Sequence, residues 1–64
     1  MDITFNGEAQ RTAATTLADL LTEQGFTARV ATAVNGDFVP ASLRAATPIR
    51  QGDRIEALSA MQGG

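Results

Sequence analysis

The sequence predicts a two-layer α+β domain, a mixed sheet of four to five strands with one main helix packed on one face. Three observations predict it. Asn6-Gly7 and Asn35-Gly36 each sit between short β-prone runs and mark tight hairpin turns. Between them, Leu17, Leu20 and Leu21 fall at i, i+3 and i+4, which makes one apolar stripe on a helix. A last β-prone run, Arg54 to Met61, follows the second hairpin. The order is β-β-α-β-β-β, and the 64 residues make one small domain.

Each element has its own local justification. Met1, Ile3 and Phe5 alternate with Asp2, Thr4 and Asn6, the period of a half-buried strand. Glu8 to Ala14 continues as a second strand with poorer alternation. Thr15 or Thr16 caps a helix of about residues 16–24 through its hydroxyl, with Asp19 at the capping-box position three residues beyond Thr16. Gly25 stands where a left-handed residue ends such a helix. Val30 to Val34 is a strand, and Asp37-Phe38-Val39 is its short return, stopped by Pro40. Ser42 to Ala46 is read as a helical turn, and Gln51-Gly52-Asp53 as the turn into the last strand.

If the helix makes the right-handed crossover, the first and last strands pair parallel in the middle of the sheet. That is the ubiquitin-like, or β-grasp, arrangement. The last strand then carries the chain's final residues off the edge of the fold.

Composition narrows the chemistry. The sequence has no histidine, no cysteine and no lysine; its five basic residues are all arginines. The usual general base, thiol nucleophile and Schiff-base amine are therefore missing, as are the ligands of a Cys-based zinc site. An enzyme in its own right is not expected, nor a metal site. A net charge of −2 argues against nucleic acid, which requires clustered cations. No apolar run approaches the roughly 20 residues of a membrane span. Met1-Asp2-Ile3-Thr4-Phe5 does not resemble a signal peptide, so a cytoplasmic protein is expected. The arginines are read mostly as a solvated face.

Gly63-Gly64 is a poor ending for a structural strand. It is a good way to present a carboxylate to another protein's active site, because glycine is thin and free in φ/ψ. Ala33-Val34-Asn35-Gly36-Asp37-Phe38-Val39-Pro40, then Ile49, Gly52-Asp53-Arg54-Ile55-Glu56 and Met61-Gln62-Gly63-Gly64, closely resemble the ThiS family, the sulfur carrier proteins of thiamine biosynthesis. The resemblance covers the whole chain and is strongest from Ala33 onward. The family pattern has a basic residue directly after Val-Pro; here Ala41 stands there and Arg44 comes later.

The resemblance implies a mechanism. A ThiF-like adenylyltransferase uses ATP and Mg²⁺ to convert the Gly64 carboxylate into an acyl-adenylate. Sulfur from a donor such as a cysteine desulfurase displaces AMP and leaves a thiocarboxylate. A ThiG-like thiazole synthase then takes the sulfur into the thiazole ring. Gly63 and Gly64 are the reacting tail, and no cofactor is bound by the chain itself. An α-carboxylate is ionised at neutral pH and a poor electrophile, so activation must come from outside. The resemblance leaves the sulfur donor open, and with it any acyl-disulfide intermediate.

Partner binding is expected at Phe38, Leu58, Ala60, Met61 and Gln62. If Ile55 and Ala57 point to the helix, Leu58 points away from it, beside the tail. A single exposed leucine needs no explanation by itself, and its nearness to the tail is what gives it weight. Met61 to Gly64 span at most about 14 Å, enough to reach from a docking surface into a buried site. The rival readings are a sulfur carrier for molybdopterin or another sulfuration pathway, and a non-catalytic β-grasp interaction module. The tail, about residues 61–64, is expected to be flexible, because chain ends fray unless tied down. Backbone NMR order parameters there should fall well below those of the helix; order equal to the core would remove the idea of a swinging tail.

Overall fold

Two Asn-Gly turns frame the structure, a computed structural model that describes residues 1–26 and 29–59, with Ser59 described by its backbone only. The first joins β1 (Asp2–Phe5) to β2 (Glu8–Arg11), and the second joins β3 (Val30–Val34) to β4 (Asp37–Val39). Asn6 and Gly7 have φ of 50° and 84°, and Asn35 and Gly36 have 53° and 89°. Positive φ at both central residues is what a twist-matched two-residue hairpin needs, and Asn-Gly adopts it most readily. Phe5 pairs with Glu8 and Val34 with Asp37, directly across each turn.

Between the hairpins lies α1 (Leu17–Gln24). Thr16, and not Thr15, is its cap: the Thr16 hydroxyl accepts the Asp19 N–H at 3.2 Å. At the other end Gly25 is left-handed, with φ of 82°. Its N–H bonds to the Thr22 carbonyl at 3.1 Å and the Phe26 N–H to the Leu21 carbonyl at 2.9 Å, which closes a Schellman motif. Leu17, Leu20 and Leu21 are all buried, as their spacing requires.

The last strand, β5 (Arg54–Ser59), enters the middle of a five-stranded sheet ordered β2-β1-β5-β3-β4. It pairs parallel with β1 and antiparallel with β3. The expected crossover topology is therefore present, with α1 covering one face. Ile3, Phe5, Val30, Ile55 and Ala57 from the sheet meet the leucines of α1 in one core. Phe26 packs against that core, its ring 5.6 Å from the ring of Phe5.

Three expectations change. The second strand stops at Arg11, not Ala14. Thr12 is buried and its hydroxyl accepts the Ala14 N–H at 3.0 Å while donating to the Glu23 carboxylate. A threonine that bonds its own backbone two residues on turns the chain instead of extending the ladder. The last strand is described to Ser59; Ala60 and Met61 of the expected run, and the expected tail at 61–64, lie outside the described residues. The third change concerns Arg44, which is not on a solvated face.

The helical turn after Pro40 is a 3₁₀ helix, Ala41–Ala46, and Arg44 within it is only 7% exposed. Its Nε donates to the Thr32 hydroxyl at 3.0 Å and its Nη2 to the Val30 carbonyl. Thr32 in turn donates to the Val39 carbonyl at 2.7 Å. The arginine thus ties the 3₁₀ helix to β3, and the buried threonine relays the tie to β4. Among the described residues no helix is long and apolar enough to cross a membrane.

Leu20 is fully buried. Leu20→Ala should destabilise the domain by about 2–5 kcal/mol, the range for deleting a large aliphatic side chain from a core. A core this small rarely supplies more than about 3–5 kcal/mol, so the variant should be largely unfolded by thermal or denaturant melting.

Candidate functional site

The strand period divides β5 into two sets of side chains. Ile55 and Ala57 enter the core, and Arg54, Glu56 and Leu58 are exposed on the opposite face of the sheet. Leu58 is 67% exposed, as the alternation predicts. Phe38 on β4 is 69% exposed, although it is the largest apolar side chain of its strand.

The register places both on one face. Phe38 lies opposite Ala33, and Ala33 lies opposite Glu56 on the other side of β3. Leu58 lies opposite Ala31, one outward-facing position along. Phe38 and Leu58 therefore flank β3 diagonally, two strand spacings apart (roughly 10 Å) and offset by two residues along the strands (roughly 7 Å). The two outward residues of β3 between them are alanines, so the ground between the larger side chains is low. The result is a shallow apolar strip, Phe38, Ala33, Ala31, Leu58, with Glu56 and Arg54 beside it on β5. Scattered apolar residues are ordinary on a surface, but two large ones joined by alanines form a continuous patch.

The rigidity of that patch comes from β5's two neighbours. The Asn6 side chain accepts the Ala57 N–H at 2.8 Å and donates to the Ala57 carbonyl at 3.1 Å. Asn35 accepts the Arg54 N–H at 2.9 Å through Oδ1, and its own N–H donates to the Arg54 carbonyl at 2.7 Å. Both turn asparagines thus hold β5, a role beyond the turn signal for which they were first singled out. At its described end β5 runs beside the start of β3, with Ser59 opposite Val30.

Of the residues expected at the site, Phe38 and Leu58 are brought together on this face. Ala60, Met61, Gln62, Gly63 and Gly64 lie outside the described residues. Among the described residues no group of three or more His, Cys, Asp or Glu is gathered as a metal site. Sequence patterning did not single out Ala31 and Ala33. Their signal was available in the alternation of β3, where Val30, Thr32 and Val34 take the core side.

A model of the ThiS family matches residues 3–64, a span that includes the sheet face and runs on through Gly64. The chain belongs to the ThiS family. It is similar to the crystal structure of the thiamine biosynthesis protein ThiS from Geobacter metallireducens, with a TM-score of 0.85 and 26% identity over 100% of both chains. It is also similar to the NMR solution structure of a thiamine biosynthesis protein from Geobacter metallireducens, with a TM-score of 0.80 and 26% identity over 100% of this chain and 88% of that one. Among curated proteins nothing matches. The five-stranded mixed sheet with one main helix is thus the ThiS β-grasp fold.

Since Leu58 contributes nothing to the core, Leu58→Asp should leave stability within about 0.5 kcal/mol, the usual range for surface substitutions. A large fall in the melting temperature would mean that this face is packed against something in solution.

Proposed function

We propose that this ThiS-family chain is a sulfur carrier of thiamine biosynthesis, a protein co-substrate acting in the cytoplasm and not an enzyme. The observation that carries the reading is the family match extending over residues 3–64, and so over Gly63 and Gly64. The absence of histidine, cysteine and lysine from the sequence supports it, since every group needed for activation then belongs to partners.

In this reading the Gly64 carboxylate attacks the α-phosphorus of ATP in a ThiF-like adenylyltransferase, with pyrophosphate leaving. The charge that develops on the phosphoryl oxygens is met by Mg²⁺ and cationic groups of the partner. The terminal sulfur of a donor persulfide, such as that of a cysteine desulfurase, then attacks the acyl carbon and expels AMP. A thiol cleaves the S–S bond of the resulting acyl disulfide, leaving a thiocarboxylate and a disulfide on the donor side. Glycine at both terminal positions keeps the path of attack clear of side chains. A ThiG-like thiazole synthase receives the sulfur. The strip of Phe38, Ala33, Ala31 and Leu58 is the surface on which the partners dock, beside the strand that leads to the reacting group.

Two measurements test this reading. Incubation with ATP, Mg²⁺, an active adenylyltransferase and a sulfur donor should raise the intact mass by the difference between sulfur and oxygen. Deleting Gly64 should abolish the shift and leave the melting temperature unchanged, and Gly64→Ala should slow it. A constant mass with a demonstrably active partner would overturn the carrier assignment. Calorimetric titration should show weaker binding of the adenylyltransferase to Leu58→Asp, because a charge is driven into an apolar contact; unchanged affinity would remove Leu58 from the interface.

A further inference from the structure

On the helical side of the molecule, away from the sheet face, an open groove of about 250 Å³ runs between α1 and the 3₁₀ helix. Ala18, Leu21 and Phe26 line it from one side, Ala41 and Ala45 from the other, and Arg44 contributes to its wall. We propose that this groove is a second interaction surface, where Arg44 receives the carboxylate of an aspartate or glutamate side chain projecting from a partner protein.

The arginine's unfinished bonding is the first reason. A guanidinium is always charged and carries five N–H donors. Arg44 is more than nine-tenths buried, and its two hydrogen bonds go to neutral acceptors, the Thr32 hydroxyl and the Val30 carbonyl. Among the described residues no carboxylate stands within ion-pair distance of it; Arg11 and Asp2 pair elsewhere, on the surface. A buried cation held only by neutral dipoles is an expensive arrangement, and a carboxylate partner, ideally bidentate, completes it. The chain carries seven acidic residues, yet none of those described is placed here.

The shape of the groove decides the class of occupant. Its volume lies below the roughly 300–1,000 Å³ of pockets that enclose small-molecule ligands, and it is open to solvent. Ala18, Ala41 and Ala45 keep its rim low, so a neighbouring backbone can approach closely. Leu21 and Phe26 offer an apolar wall to the methylenes of one acidic side chain. Ala41 and Arg44 are three residues apart in a 3₁₀ helix, where i and i+3 eclipse, so both present to the same side. The surface does not depend on the carrier reading, since it lies on the other layer of the fold and involves none of the sheet-face residues.

The experiment is a ¹H–¹⁵N NMR titration of the full chain with glutamate blocked at both ends, against blocked glutamine as the neutral isostere. Blocked glutamate should shift the Arg44 Nε–H and the amides of Ala18, Ala41 and Ala45 saturably, at about the millimolar level of a single contact pair. Blocked glutamine should not. Ala18→Glu then tests the site without touching Arg44: an acid in the first turn of α1 suits the helix dipole and supplies a tethered carboxylate. It should suppress the response to the probe and raise the melting temperature. Equal shifts with glutamine, or an undiminished response in Ala18→Glu, would overturn the proposal. Tighter binding of inorganic phosphate than of blocked glutamate at the same residues would also overturn it, in favour of a small-oxyanion site.

Discussion

Everything in this fold is arranged around β5, a strand that follows both hairpins in sequence and lies between them in the sheet. It pairs parallel with β1 at Thr4–Arg54 and Phe5–Ile55, and antiparallel with β3 over five residue pairs. No tight turn can join parallel neighbours, so the chain has to leave the sheet and return. The helix α1 leaves the sheet between β2 and β3, the strands that flank the β1–β5 pair, and uses its leucine stripe to cover the face it crosses. The asparagines of both hairpin turns then bond to β5, Asn6 at Ala57 and Asn35 at Arg54. Each turn therefore closes its own hairpin and holds the strand that unites the two halves.

The position of β5 decides what the molecule shows to a partner. With Ile55 and Ala57 turned into the core, Leu58 has to face outward, and the register with β3 sets it diagonally across two alanines from Phe38. A slip of one residue would send Leu58 inward and expose Ile55, reversing every side chain of the strand at once. The apolar strip is thus a consequence of the same pairing that builds the core. This links stability to the proposed carrier role: the strip proposed for docking takes Leu58 from the same strand that leads to the proposed reacting group.

The helical layer follows a different logic. A chain of this size has few leucines to spend on a second seam, and the 3₁₀ helix is fastened to β3 by a guanidinium instead of by aliphatic packing. Arg44 reaches the Thr32 hydroxyl and the Val30 carbonyl, and Thr32 passes the connection to Val39. Polar side chains buried in this way are tolerable only when they are bonded, which they are in part. Arg44 also lines the groove beside α1, so the structural strut and the proposed carboxylate contact are two uses of one side chain.

By itself the sequence determined every local element whose cause is local. Asn-Gly specified both hairpins through its positive φ, the leucine spacing specified α1, and Gly25 its C-terminal end, while the choice of Thr16 over Thr15 as its cap came from the structure. The alternation of β5 already separated Ile55 and Ala57 from Leu58, and the residues from Ala33 to Pro40 with the terminal run carried the family resemblance. Thr12 shows where local reading fails: its hydroxyl finds the Ala14 N–H and Glu23, and the strand ends three residues early. Arg44 shows it more sharply, because an arginine three residues after a Val-Pro-Ala reads as solvent-facing until the 3₁₀ turn carries it beneath β3. The diagonal pairing of Phe38 with Leu58 depended on a register between strands that lie far apart in sequence. Side-chain period is a property of one segment, whereas burial of a charge and adjacency across strands are set by which segments meet, and only the tertiary structure decides that.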